Sequence, residues 1–200
     1  MVSVEATRTA GLDGSSGQTA STGVYPAPCG RRIPTHDRRH LEIVEFLEEE
    51  SAMLDDDNLM GWLALLEPDV VYRAPVRATR ERGTIGPFET EMFHFNENSM
   101  TLTMKLVRLT QTTSAWSENP ASRTHRIVHK IRAYELGQAG EYDVRSSIVL
   151  LRSRYDDPNL EMISARRADV IRGGQSWKIA SRTLYFDQAT LGVQNLAVYL

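Results

Sequence analysis

The sequence predicts an α+β domain, with N-terminal helices packed inside a strongly curved, mainly antiparallel sheet. Three observations carry this reading. Ile43, Phe46, Leu47, Glu50 and Leu54 fall at i, i+3, i+4, i+7 and i+11, the stripe of an amphipathic helix. Later in the chain four β-rich runs follow one another: Arg123–Leu136, Tyr142–Tyr155, Glu161–Ile171 and Ser176–Asp187. Turn signals at Gly137/Gly140, Asp156-Asp157-Pro158 and Gly173-Gly174 punctuate the runs. Helices first and a meander afterwards is the order of an α+β fold, and a bent sheet wrapped over the long helix buries its stripe.

The elements follow in order. Residues 1–35 are rich in Gly, Ser, Thr, Ala and Pro and show no apolar periodicity. Such a segment buries too little apolar surface to offset its ordering entropy, so it reads as a flexible arm; the alternative is an arm that orders on a partner. Residues 36–200 then form a single domain. Thr35 or Asp37 is placed to cap the first helix. After Asp55-Asp56-Asp57, residues Leu59 to Leu66 read as a second short helix ended by Pro68. Val70 to Val76 is extended, with Pro75 at an edge or bulge. A charged, Gly-containing loop spans Ala78 to Pro87, and Met100 to Leu109 reads as a helix. Gly173-Gly174 predicts a tight hairpin between the last two strands.

Composition excludes several classes. With 200 residues, 41% hydrophobic and 24% charged, the chain has the make-up of a soluble globular domain. A net charge of −3 gives no electrostatic reason to expect nucleic acid as a partner. The longest apolar runs, Trp62–Leu66 and Leu196–Leu200, have five residues, where a membrane helix needs about 20. No apolar signal-peptide core follows Met1. Cys29 is the single cysteine and has no internal disulfide partner, which fits a reducing cytoplasm.

Few residues suggest chemistry. Gly11 to Gly17 is Gly-rich but lacks the strand before it that a phosphate loop needs. His125 and His129 share a face in a strand, yet four residues span about 13 Å, too far for two ligands of one ion. They fall on the face of Ile127, Ile131 and Ala133, which would line the inside of the sheet. There one of them, near Tyr72, would suit a general base, as histidine does near neutral pH; the plainer reading is a strand surface or subunit contact. Asp55-Asp56-Asp57 reads as a turn capping the next helix rather than a metal site. The arginines of the sheet region are expected in cross-strand ion pairs or against a complementary partner face.

Taken in order, the motifs resemble a known family. Phe46-Leu47-Glu48-Glu49-Glu50, Met53-Leu54-Asp55-Asp56 and Trp62-Leu63-Ala64-Leu65-Leu66 resemble the opening helices of aromatic-ring-hydroxylating dioxygenase β (small) subunits. Val71-Tyr72 with Ala74-Pro75-Val76-Arg77 looks like their first strand. Ala115-Trp116-Ser117-Glu118-Asn119-Pro120 with Ser122-Arg123-Thr124 is similar to their AWxExPxSRT segment. Arg145-Ser146, Val149 to Arg154, Trp177 to Thr183, Asp187-Gln188 and Asn195 to Leu200 continue the likeness. Arg73 replaces a frequent aromatic, and Asn96-Glu97-Asn98 stands where a more acidic segment is usual.

The resemblance implies the nuclear-transport-factor-like (cystatin-like) cone and a β subunit in an α3β3 hexamer. It implies a Rieske [2Fe–2S] cluster and a mononuclear non-haem iron in the α subunit, and electrons from NAD(P)H through a reductase and ferredoxin. The reaction would be cis-dihydroxylation of an aromatic compound, in the cytoplasm, with no membrane or nucleic acid involved. No cofactor, metal or catalytic residue is expected in this chain. Two Cys and two His are needed for a Rieske centre, and only one Cys is present. The competing expectation is a stand-alone dehydratase, isomerase or cyclase on the same cone, using His125, His129 and Tyr72. An interior filled by side chains or opened as a polar pocket separates the two.

Overall fold

A computed structural model describes residues 24–81, 86–111, 121–192 and 199–200. The four predicted runs are strands, and along the second and third burial alternates over most of the length, which fixes the face that looks inward. They become β4 (Arg123–Glu135), β5 (Glu141–Ser153), β6 (Glu161–Arg172) and β7 (Lys178–Phe186). Each pairs antiparallel with the next. The predicted Gly173-Gly174 turn lies between β6 and β7.

Helix α1 (Arg38–Asp55) buries Ile43, Phe46, Leu47, Glu50 and Leu54, the predicted stripe, and adds His40. Its N-cap is Asp37, whose carboxylate accepts from the Arg39 amide at 2.9 Å. Short α2 (Leu59–Leu63) carries Trp62 into the core. Asn58 caps α2, not an aspartate of the preceding run. The aspartates divide otherwise: Asp55 pairs with Arg126 on β4, Asp56 closes α1, and Asp57 takes a left-handed conformation at φ 58°.

Three departures from the sequence reading have local causes. Pro68 does not end a helix. It lies within β2 (Leu66–Arg77), where the pairing with β7 breaks register between Leu66 and Val71 and needs no proline N–H. Pro75 sits at a bulge, as predicted. The second departure is an unpredicted strand, β3 (Phe88–Asn98), which pairs with β2 at the edge of the sheet and leads into the predicted helix α3 (Ser99–Gln111).

The third lies in the segment read as an arm. Arg31–Arg32 forms β1 against Glu135 and Tyr134 of β4, and Ile33 is buried. Gly30 makes this approach possible. Its φ is +90°, and a Cβ there would stand 2.2 Å from the Glu135 carbonyl oxygen. Tyr25 lies further along, its hydroxyl donating to Asp187 at 2.9 Å. Residues 1–23 lie outside the described residues, as do Ala115–Pro120 and Asn195–Val198 of the family motifs.

Among the described residues seven strands order as β1-β4-β5-β6-β7-β2-β3, with β2 and β7 paired parallel. The inner face of the sheet packs on α1, α2 and α3 around Trp62, Leu47, Leu102, Leu106, Ile148, Leu150 and Phe186. Among the described residues no helix is long and apolar enough to cross a membrane.

Gly30→Ala is expected to free the 24–33 stretch while leaving the domain folded. The Ile33 amide, which donates to the Ala133 carbonyl at 2.9 Å, should lose most of its hydrogen-exchange protection. The cost should be on the order of 1–3 kcal/mol or less, that of a strained non-glycine residue.

Candidate functional site

In the interior under the sheet, α1, β6 and β7 bring four charges together. Glu50 occupies the i+7 position of the α1 stripe and is fully buried. Arg182 of β7 binds it through both terminal nitrogens, one donating at 2.9 Å to Glu50 Oε2 and the other to Oε1. Arg182 also holds Asp169 of β6 through Nε at 3.0 Å and Nη2 at 2.9 Å. Arg167 lies 3.4 Å from Glu50 and 3.8 Å from Asp169, and its Nε donates to Ser146 at 3.0 Å. Trp62 Nε1 completes the Glu50 shell at 2.9 Å.

Two carboxylates and two guanidiniums thus balance in a buried interior, the condition under which buried charge is tolerated. Burial alone would raise the Glu50 carboxyl. Arg182 and then Arg167 overcome it, with hydrogen bonds from Arg182 and Trp62, and hold it down at about 2. Burial likewise pulls the Arg182 guanidinium down, and Asp169 and Glu50 outweigh it, raising its pKa well above the ordinary value.

Arg182 also donates to the Leu200 main-chain oxygen at 3.0 Å. Tyr72 makes a reciprocal pair with Leu200, its hydroxyl donating to the oxygen and accepting from the amide, both at 3.0 Å. Arg126 holds the Tyr199 carbonyl through Nε at 2.9 Å and Nη2 at 2.7 Å. Around these, Trp62 packs on Tyr199 at 4.8 Å and edge-on to Tyr72 at 5.9 Å, while Tyr72 stacks on Phe95 at 5.3 Å. A residual cavity beside Tyr72, Phe95 and Tyr199 holds about 100 Å³. A larger cleft of about 400 Å³ opens between Leu54, Leu109 and Tyr199, and two of its charged groups, Asp55 and Arg126, are bound to each other at 2.5 Å.

The histidines and the tyrosine proposed from the sequence do not meet. Lys130, at φ 55°, lies in a bulge between His129 and Arg132 that switches the parity of β4. Arg126 and Val128 face inward before it, Ile131 and Ala133 after it. His125 and His129 therefore do not share the face of Ile131 and Ala133; they stand on the outer face, with the His125 side chain 72% exposed. Tyr72 is inside, and burial pushes its hydroxyl up to about 12, so it is a hydrogen-bond donor rather than a base. Among the described residues no group of three or more His, Cys, Asp or Glu is placed to hold a metal, and Cys29 is exposed.

The buried quartet was missed by sequence reasoning. The signal was present: Glu50 sits in an apolar stripe, and Arg167 and Asp169 share the inward parity of Ile163, Ala165 and Ile171.

Comparison with known proteins decides the family. The model of the ring-hydroxylating β subunit matches residues 49–192. This chain belongs to the ring-hydroxylating dioxygenase β-subunit family. It is 32% identical over 164 residues to the biphenyl 2,3-dioxygenase β subunit of Rhodococcus jostii, covering 79% of this chain and 87% of that one. It is 35% identical over 166 residues to the 3-phenylpropionate/cinnamic acid dioxygenase β subunit of Photorhabdus laumondii, covering 80% and 90%. Among solved structures, naphthalene 1,2-dioxygenase with bound indole superposes with a TM-score of 0.75 at 22% identity, over 85% of this chain and 90% of that one. The fold of this β subunit is the nuclear-transport-factor-like cone that the resemblance implied.

Glu50→Gln should destabilise the subunit by about 3–5 kcal/mol in denaturant unfolding, because two buried guanidiniums lose their shared carboxylate. The folded Glu50 carboxyl, at about 2, lies below the ordinary glutamate value of 4.5, so the unfolded chain takes up more protons between the two. Stability from this group is complete above about 4.5 and is lost as pH falls toward 2. Acid unfolding of the wild type should fall in that window, and Glu50→Gln should flatten it.

Proposed function

We propose that this chain is the non-catalytic β subunit of a terminal oxygenase, assembled with an iron-containing α subunit as α3β3. The complex carries out cis-dihydroxylation of an aromatic compound. The α subunit supplies the Rieske cluster and the mononuclear iron, and NAD(P)H supplies electrons through a reductase and ferredoxin. Its place is the cytoplasm, where NAD(P)H is made available. The observation that carries the reading is the filled interior: a closed ion quartet and packed aromatics occupy the space in which a cone enzyme would bind substrate. Donor chemistry points the same way, since the chain's one cysteine falls short of a Rieske ligand set. The motive for a stand-alone dehydratase, isomerase or cyclase was an inward histidine, and His125 and His129 face outward.

The β subunit's role is then to hold α subunits in place, with substrate choice made in the α pocket. The relatives act with substrates as different as biphenyl and 3-phenylpropionate or cinnamic acid. A packed cone is compatible with that spread, because it does not touch the ring being oxidised.

Co-expression with a Rieske-type α subunit is expected to give a complex that contains iron and consumes oxygen with an aromatic substrate. The purified β chain alone should contain no stoichiometric iron and turn nothing over. Turnover of a small molecule by the isolated β chain would overturn the assignment.

A further inference from the structure

Residues 25–28 cross the outer face of the sheet, and between them and β4, β5 and β6 lies a cavity of about 280 Å³. Both ends of this roof are fixed. The Tyr25 hydroxyl donates to Asp187 at 2.9 Å, and the Cys29 amide donates to Asp143 at 2.7 Å. Between those ends Arg145 donates to the Pro26 and Ala27 carbonyls, each at 3.3 Å. The cavity is therefore preformed, and a ligand need not order its walls.

Its walls are cationic. Lys130, Arg132, Arg145 and Arg166 line it, and among the described residues no Asp or Glu does. Asp143, close by, is engaged by Arg145 at 2.6 and 2.8 Å. Among the described residues, Lys130, Arg132 and Arg166 have no carboxylate partner; Arg166 lies 3.9 Å over the Tyr25 ring. A guanidinium laid on a ring keeps its edge N–H groups for another acceptor. Arg132 stands directly opposite Arg145 in the ladder, and Arg166 opposite Ser147. Two strand spacings across and two residues along, the three arginines root within about 12 Å of one another. Like charges set opposite across strands repel, so an anion between them would remove a cost that the fold otherwise carries.

Lys130 adds backbone strain to charge. Its φ of 55° is left-handed, a region that favours glycine, and it lies in the β4 bulge between His129 and Arg132. Bulges re-aim side chains, and this one sets Lys130 in the cavity wall. We propose that the cavity binds a phosphoryl oxyanion, free or carried by a small molecule. Several converging cations call for more than one negative charge. The Tyr134 and Ser147 side chains line the same cavity and bring hydroxyl donors. A tetrahedral phosphoryl group accepts in several directions at once and answers donors from separate strands, whereas a carboxylate accepts in one plane. The volume lies near the lower end for small-molecule pockets, about 300 Å³, so the ligand is small. The site is on the outer face, apart from the interior quartet, and does not depend on the subunit reading.

The test is isothermal titration of the full-length β chain with inorganic phosphate, pyrophosphate and adenosine diphosphate, near neutral pH in a buffer free of other oxyanions. Pyrophosphate is expected to bind at one site with a Kd of about 1 mM or below at about 50 mM salt, and at least about tenfold more weakly at about 500 mM. Arg132→Ala/Arg166→Ala should weaken it at least about tenfold. Arg38→Ala, which removes an exposed cation at the start of α1, should leave it unchanged. Lys130→Gly should also weaken binding yet unfold at no lower temperature, because glycine accepts the φ that lysine resists. Tighter binding of adenosine diphosphate than of pyrophosphate assigns a nucleotide as the carrier, and equal or weaker binding assigns the free anion. Absence of saturable pyrophosphate binding up to about 10 mM overturns the proposal. An equal loss in Arg38→Ala also overturns it, since that marks diffuse charge attraction. So does loss of binding once the chain is joined to an iron-containing α subunit, which would mean that α covers this face. Binding that persists in a chain that joins no such subunit would leave the site standing and remove the subunit reading.

Discussion

The fully buried carboxylate of Glu50 is the constraint on which the rest of the interior depends. It ties the long helix to the two strands that carry Arg167 and Arg182, and through Arg182 to Asp169 and Leu200. Charges in such a place add little net stability, since desolvation offsets most of their attraction. Their effect is on arrangement. The observed placement of α1 over the sheet sets Glu50 between two guanidiniums, and a slip would leave a bare charge in the core.

Much of this fold was legible in the residues, and what was not has identifiable causes. The α1 stripe and the four strands of the meander could be read because their periods, near 3.6 and 2, run over many residues. Phe88–Asn98 escaped because Glu89, Glu91 and Glu97 are poor strand formers and its aromatics lie on both faces, so its pairing with β2 decides its state. Pro68 was read as a stop because local chemistry says so, whereas a break in a parallel ladder removed its penalty. The outward histidines were misplaced by a single extra residue: strict alternation puts Ile127 and Ile131 on one face, and the bulge at Lys130 reverses it. Residues 24–35 look unstructured by composition, yet Gly30 and Ile33 fix them to β4 through contacts that no local window contains.

The functional reading came from two different levels. Ordered motifs pointed to the family, and the family was then shown over residues 49–192. They were silent on the interior quartet, because a motif records which residues recur and not which ones meet. The cone fold hosts enzymes and scaffolds alike, so the fold alone does not separate them. The proposed scaffold role rests instead on occupancy of the interior, a property of packing that appears only once Glu50, Arg167, Asp169 and Arg182 share one site.

The two borders of the sheet carry a consequence for how this subunit avoids unwanted company. An open strand edge offers unpaired amides and carbonyls to any passing chain. Among the described residues, strand β1 pairs only with the Tyr134–Glu135 end of β4, and along the Arg123–Lys130 border the Arg126 amide is taken by the Asp55 carboxylate at 2.8 Å. That border carries Arg123, His125, His129 and Lys130, and the bulge distorts the ladder at its end. On the far side, β3 presents Glu89, Glu91 and Glu97. Charge and distortion thus guard both rims against strand addition and amyloid-like stacking, so association is steered away from the backbone and onto side chains.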